Sequence, residues 1–320
     1  MKTVQTVTGP VSTADLGSVL MHEHLFSSSM GIATHYPQFY MDGIYDVIEA
    51  ELNRIKAEGI LTVVDTAPVC LGRDVRGLKK VSEDTGVHVI ATTGWWGMQP
   101  PYVGKYPAET YARGFIDDIR VGCDGTDIKA GIIKAAMDKD GPTEWRKTIH
   151  YAAGIASVET GANIFLHTYC PMETPRHQLR MLREVGVDMN KVAVDHIPET
   201  TDMDFIRWLY DQGVWLGVDR IPCLHFQGEY QVSTKTRIKV VKQMLDEGMG
   251  DRILFSHDLP VTSTLFDNVD AETKAYLDAQ KPDGLLFLKR HVFPALAEMG
   301  VDPDDLWKLT IDNPRRFFES

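Results

Sequence analysis

The sequence predicts an α/β chain folded as a (β/α)8 TIM barrel, and three observations predict it. Short β-branched runs alternate with amphipathic helical stretches through eight rounds, the pattern of βα units around a parallel sheet. The length, 320 residues, suits such a barrel built as one unit, so 1–320 is expected to be a single domain. Ionisable residues recur at the ends of the apolar runs: His24, Lys134, His167, His196 and Asp258. A barrel places its active site at the C-terminal ends of its strands, whereas core polar residues of no function would scatter along them.

Each element follows from local pattern. Strand one is expected over Ser18–His24, and a variable aromatic-rich loop follows, from Phe26 to Tyr40. Ile44, Val47, Ile48, Leu52 and Ile55 recur at helical spacing, giving a helix over Ile44–Gly59. Strands two and three are Leu61–Asp65 and His88–Thr93, with Val75, Leu78 and Val81 on the helix between them. A Trp-rich loop (Gly94-Trp95-Trp96-Gly97-Met98) precedes a helix over Ala108–Val121. Strand four is Ile128–Lys134 and its helix Glu144–Thr160; strand five is Asn163–His167 and its helix Pro175–Val185. Strand six is Lys191–His196 with a helix near Asp202–Gln212, strand seven Val214–Asp219 with a helix over Thr234–Glu247, and strand eight Arg252–Ser256. A last helix lies around Leu285–Met299, before a tail ending in Asn313-Pro314-Arg315-Arg316-Phe317-Phe318.

Composition excludes several function classes. The formal net charge of −12 leaves no basic face for nucleic acid. No apolar run approaches the roughly 20 residues that span a membrane, and Met1 to Thr6 lack the apolar core of a signal peptide. The four cysteines (Cys70, Cys123, Cys170, Cys223) are widely spaced and form no CxxC pair, against a zinc ribbon or a disulfide framework. The expectation is a reduced, cytoplasmic protein with a small-molecule substrate.

The chemistry centres on Leu20-Met21-His22-Glu23-His24. Two apart on a strand, His22 and His24 share a face and can reach one metal ion, while Glu23 points the other way. With His167, His196 and Asp258 the donors exceed what one four-coordinate catalytic zinc needs. Two metals would use them all, and two dications close together need anionic bridges. Lys134 is the strand-end candidate on strand four. Repelled by two dications, its ammonium would lose a proton; the neutral amine can then add carbon dioxide to give a bridging carbamate, an inference from charge balance. Lys129, five residues earlier, faces the other side of the strand.

Met21-His22-Glu23-His24-Leu25, Gly131-Ile132-Ile133-Lys134, Leu166-His167-Thr168, Asp195-His196, Leu216-Gly217-Val218-Asp219-Arg220, Ser256-His257-Asp258 and Asn313-Pro314-Arg315-Arg316 run in order across nearly the whole chain. As a set they resemble the phosphotriesterase family of the amidohydrolase superfamily, especially its lactonase branch. The resemblance implies that His22, His24 and Asp258 bind a buried α metal, and that His167 and His196 bind a more exposed β metal. It implies carboxylated Lys134 and a hydroxide as bridges, the hydroxide being the nucleophile. Zinc comes first among the ions; iron, cobalt and manganese accept the same donors. Asp258 would be both ligand and proton carrier. Glu199 stands where the family's relay acid is an aspartate.

Two positions that bear on substrate disagree. Arg220 resembles the lactonase branch, whereas Trp96 resembles the phosphotriesterases, which carry tryptophan where lactonases carry tyrosine. The implied activity is a lactonase with promiscuous action on organophosphate triesters; a carboxylesterase or amidase acting on another small metabolite is the alternative. A barrel kept only for binding would show a broken ligand set, and this one is intact. Trp96, Met98, Tyr102, Arg220, Phe226 and Leu259 (or Phe266) are expected to line the substrate pocket. Met30, Ile32, Tyr36, Phe39 and Tyr40 are expected to form a homodimer patch, as in the family. His257 reads as structural, the cysteines as packing, and Trp95 as wall.

Overall fold

The computed structural model describes residues 2–36, 38, 43–99, 102–223, 232–263, 278–279 and 281–320. Phe226, Phe266, His225, Phe39 and Tyr40 lie outside the described residues. Twelve strands are described: β1 (Thr3–Thr6), β2 (Gly9–Ser12), β3 (Ser18–Ser27), β4 (Ile60–Asp65), β5 (His88–Ile90), β6 (Thr92–Gly94), β7 (Ile132–Ala136), β8 (Asn163–His167), β9 (Val192–Val194), β10 (Trp215–Val218), β11 (Ile253–Phe255) and β12 (Pro260–Ser263). Six run in the order β11-β10-β9-β8-β7-β6 and four in the order β12-β3-β4-β5, every neighbouring pair parallel. β5 and β6 are one barrel strand broken at Ala91, and β11 and β12 are one strand broken at 256–259. The two arcs therefore close into the expected eight-stranded barrel. At the breaks the Gly131 amide donates to the Ala91 carbonyl at 2.8 Å, and the Asp258 amide to the His22 carbonyl at 2.9 Å.

Helices fill the connections, with their apolar stripes against the strands. Ile44, Ile48, Leu52 and Ile55 are the buried face of Ile44–Ala57. Helix Val75–Thr85 starts where the Asp74 side chain accepts from the Gly77 amide, and Met203–Asp211 where Asp202 accepts from Phe205. Helix Glu144–Thr160 ends at Gly161 in the left-handed region. No helix among the described residues is long and apolar enough to cross a membrane.

The lower lumen is an apolar plug. Val19, Met21, Val64, Ile90, Ile132, Phe165, Ala193, Trp215 and Leu254 meet there with Phe317 and Phe318. Phe317 sits edge-on to both Phe165 (5.3 Å between ring centres) and Trp215 (5.8 Å).

Four features depart from the sequence expectation. Strand four runs over Ile132–Ala136, not Ile128–Lys134, because the Ile128 carbonyl and the Ala130 amide are drawn to Cys123 and Asp118 at the preceding helix end. Lys134 thus lies mid-strand. β3 runs on to Ser27 because β12 pairs with Phe26 and Ser27. The tail is helical over Pro303–Phe318 despite Pro314; the Asn313 amide group bonds the Gly250 and Ile253 carbonyls, and Asn163 bonds the Phe317 carbonyl. Instead of one helix over Leu285–Met299 there is a 3-10 turn (Gly284–Leu286), a π turn (Leu288–Val292) and a short helix (Phe293–Glu298). The hairpin of β1 and β2 had no strong sequence signal.

Candidate metal centre

Strand alternation lifts a polar layer onto the apolar plug. Side chains two apart on a strand share a face. Above Ile132 therefore stands Lys134, above Phe165 His167, above Ala193 Asp195, and above Trp215 come Gly217 and Asp219. On β3 the inward parity changes. From Leu20 to Glu23 the chain advances three residues while β4 advances two, Val63 to Asp65. That bulge turns His22 and His24 inward above Met21. Gly94 lies opposite Lys134 on β6 at φ +98°, and a Cβ there would fall 2.0 Å from the Lys134 carbonyl oxygen.

Three site residues follow strand ends in the left-handed region, where non-glycine residues are strained: His196 (φ +66°), Arg220 (φ +54°) and Asp258 (φ +56°). Each turn re-aims its side chain from the strand direction into the barrel mouth.

The donor atoms converge. His22 Nε2 is 2.7 Å from Lys134 Nζ and 3.4 Å from Asp258 Oδ1. His24 Nε2 is 3.0 Å from Asp258 Oδ1. His196 Nε2 is 2.8 Å from His167 Nδ1, and Trp96 Nε1 donates to that same His167 nitrogen at 3.2 Å. Arg220 spans two acids: its Nε donates to Asp258 Oδ2 at 2.8 Å and its Nη1 to Glu199 Oε1 at 2.6 Å. Behind it, buried Arg237 donates to the Arg220 carbonyl at 3.2 Å and lies 3.9 Å from Glu199.

Burial sets the protonation states. It pushes His22 well below the usual imidazole range, with Lys134 adding to the effect, and pushes His196 well below it with help from Arg220. His167 falls to about 4, again through burial first. Burial also lowers the Lys134 ammonium against the pull of Asp195, Asp258 and Asp219. For Asp258 burial acts upward, but His22, His24 and Arg220 outweigh it and hold the carboxyl well below its usual range. Asp195 rises to about 7 through burial. Neutral imidazoles, a depressed amine and an ionised carboxylate are the forms in which these groups bind cations.

The set offers candidate ligands for metal ions. His22, His196 and Asp258 present donor atoms within 4.8 Å of one another. With Asp219 Oδ1 accepting from His196 Nδ1 at 2.6 Å and Trp96 donating to His167, two bare nitrogens face each other, an arrangement that a cation between them relieves. The Nδ1 atoms of His22 and His24 are buried without a hydrogen bond. His22 Nδ1 lies 2.9 Å from Asp195 Oδ2, an ion-pair distance, but out of line for a hydrogen bond.

The structure thus brings together His22, His24, Lys134, His167, His196, Asp258, Arg220, Glu199 and Trp96. Met98 and Tyr102 are exposed on the loop after β6. Met98 contributes its carbonyl to Trp95 Nε1, and Tyr102 lies edge-on to Trp95. Leu259 is buried behind the mouth, and its amide donates to Glu23 at 3.2 Å. The sequence reading missed the buried carboxylates: Asp195 and Asp219 beside the ligand histidines, and Glu23 as an anchor. Glu23 Oε1 accepts from Ser256 Oγ, the His257 amide and His257 Nδ1, at 2.7, 2.8 and 2.6 Å. The Leu288 amide donates to His257 Nε2 at 3.0 Å, so the proton of His257 is on Nδ1 and the residue is structural. The signal for the acids was alternation, since Asp195 and Asp219 each adjoin a residue already singled out.

Comparison with known proteins agrees with this geometry. The model of the phosphotriesterase family matches residues 2–318. A phosphotriesterase homology protein of Mycobacterium tuberculosis is 32% identical over 331 aligned positions, covering 100% of this chain and 98% of that protein. An aryldialkylphosphatase of Saccharolobus solfataricus is 30% identical over 96% of each chain. An N-acetyltaurine hydrolase of Bos taurus is 27% identical over 98% of this chain and 97% of its own. The chain therefore belongs to the phosphotriesterase family, metal-dependent hydrolases with a binuclear centre in a (β/α)8 barrel.

Proposed function

We propose that this enzyme is a lactonase with promiscuous phosphotriesterase activity, loaded with two divalent ions, zinc before iron, cobalt or manganese. The observation that carries the reading is Arg220 at the mouth, held between Asp258 and Glu199. Two ions there would polarise a carbonyl or phosphoryl oxygen and bring the pKa of a water near neutrality. His22, His24 and Asp258 would hold the inner ion, and His167 and His196 the outer. Burial lowers the proton affinity of Lys134, and in its neutral form the amine would add carbon dioxide: an N–C bond forms, the amine proton leaves, and the resulting carbamate would offer an anionic oxygen to each ion. Asp258 takes the proton of the attacking water and returns it to the leaving oxygen. Arg220 holds that carboxylate in place, and Glu199 anchors Arg220; a guanidinium keeps its protons and does not relay them. Trp96 walls the site beside His167. Met98, Tyr102 and Phe226 are proposed to border an acyl tail, with buried Leu259 backing the mouth.

A second reading, amide or open-chain ester hydrolysis, is favoured by the similarity to N-acetyltaurine hydrolase and by Glu199 in place of aspartate. A cytoplasmic homodimer is part of the proposal. The four free cysteines support the compartment, and exposed Met30 and Tyr36 support the contact.

The test is kcat/KM for a long-chain γ- or δ-lactone, an aryl phosphotriester and an N-acetyl amide on one zinc-loaded preparation, before and after chelation. The lactone should lead by orders of magnitude, and all turnover should stop on chelation and return with zinc. A leading triester or amide overturns the lactonase reading; activity that survives chelation overturns the metal centre.

A further inference from the structure

Each outer-ion histidine has one ring nitrogen turned toward the site and one turned away. For His196 the inward atom is Nε2, and its Nδ1 meets Asp219 Oδ1 at 2.6 Å. For His167 the inward atom is Nδ1, which meets His196 and Trp96. Its Nε2 faces outward, toward Asp138 Oδ2 at 3.8 Å. Asp138 follows β7 by two residues and is a surface acid of 45% side-chain exposure, with no part in the donor set.

Two contacts aim it. Asp138 Oδ1 accepts the Lys139 amide at 2.7 Å, which pins the carboxylate and leaves Oδ2 toward His167. The Met137 amide donates to the His167 carbonyl at 3.0 Å, tying the two strand ends together. Gln178 Nε2 donates to that same carbonyl at 3.1 Å, so the His167 backbone is held and the ring is left to its side-chain torsions.

We propose that Asp138 is a positioning residue for the outer ion: its carboxylate, 3.8 Å from His167 Nε2, closes to accept a hydrogen bond from that N–H, fixes the tautomer with Nδ1 bare, and holds the ring toward the site. Asp219 does the same for His196, so both outer ligands are set by a carboxylate on the rear nitrogen. Such an acid raises ligand basicity as well as orienting it. The proposal rests on the binuclear reading above. It adds that affinity for the second ion depends on a surface carboxylate touching neither ion nor substrate.

The experiment is a zinc titration of metal-free protein against a competing chromophoric chelator, for wild type and for Asp138→Asn, Asp138→Glu and Asp219→Asn. Wild type should take up two equivalents; uptake of one or none overturns the binuclear reading and this proposal with it. In Asp138→Asn the second dissociation constant should rise about 10-fold, the lower end for loss of an outer partner. The first should stay unchanged, as should the melting temperature of the metal-free form. Asp138→Glu should recover part of the loss, and Asp219→Asn should weaken the second ion at least as much. Two wild-type constants in Asp138→Asn overturn the proposal while leaving the binuclear reading intact. Equal weakening of both ions with a lower melting temperature overturns it as well, since that is general damage. Asp138→Asn is exposed and will fold, so the result does not hang on buried Asp219.

Discussion

Glu23→Gln is the sharpest probe of how the centre is held. Glu23 is fully buried on β3 between the two ligand histidines, facing away from them. Its Oε1 gathers three donors and its Oε2 the Leu259 amide at 3.2 Å. Those donors lie on both sides of Asp258, so the carboxylate latches the broken eighth strand to the first. Ser256 Oγ extends the latch by accepting the His22 amide at 2.7 Å. Glutamine keeps the shape and the oxygen at Oε1 but sets an NH2 against the Leu259 amide. One orphaned buried donor costs about 1–3 kcal/mol, and three bonds lose the strengthening of a charged acceptor. Relief from burying a charge offsets part of this, leaving a net cost of about 2 kcal/mol. Urea unfolding of metal-free protein measures it: the midpoint should fall at unchanged slope, and the inner ion should bind more weakly because Asp258 is less constrained. A midpoint at or above that of wild type would refute the latch.

Gly94→Ala tests the close approach of β6 to Lys134. At φ +98° and with 2.0 Å between the new Cβ and the Lys134 carbonyl oxygen, the backbone must move; we expect a loss above about 3 kcal/mol by urea unfolding, and a soluble variant of wild-type midpoint would contradict the register. His150 tests the pH response away from the ligands. It is fully buried, bonded to the Arg146 carbonyl at 2.7 Å and to Gln178 at 3.0 Å, and burial lowers it to about 4. The unfolded chain takes up this proton near pH 6.5 and the folded one only near 4, so stability is complete above 6.5 and declines as pH falls between them, by up to about 3 kcal/mol. In His150→Gln the unfolding free energy should fall less steeply across that window than in wild type; identical slopes would exclude His150 as a source of the acid sensitivity.

Much of this molecule was legible in the chain because its signals are local. Ile44, Ile48, Leu52 and Ile55 announce their helix by spacing, and helix Glu144–Thr160 is bounded as expected, closing at Gly161 in the left-handed region. The site was legible because a barrel carries its chemistry toward the C-terminal side of its strands: His167, His196 and Asp258 stand at or just past strand ends, and His22 and His24 lie on β3, in a set that resembles a known family. Local signals failed where a remote partner decides. Lys134 sits mid-strand because helix Ala108–Arg120 captures residues 128–130. The last helix forms through Pro314 because Asn313 and Phe317 dock on the barrel floor.

The sequence alone determined the order of the eight barrel strands with the helices between them, and the ligand types. The tertiary structure decided which carboxylate stands behind which histidine, that Arg220 joins Asp258 to Glu199, and that Glu23 locks the closing seam. Those pairs are 21 to 236 residues apart along the chain. Their partners are set by barrel register and by left-handed turns at His196, Arg220 and Asp258. Burial then shifts the proton affinities of His196, Asp195 and Asp219 by amounts that no isolated residue carries.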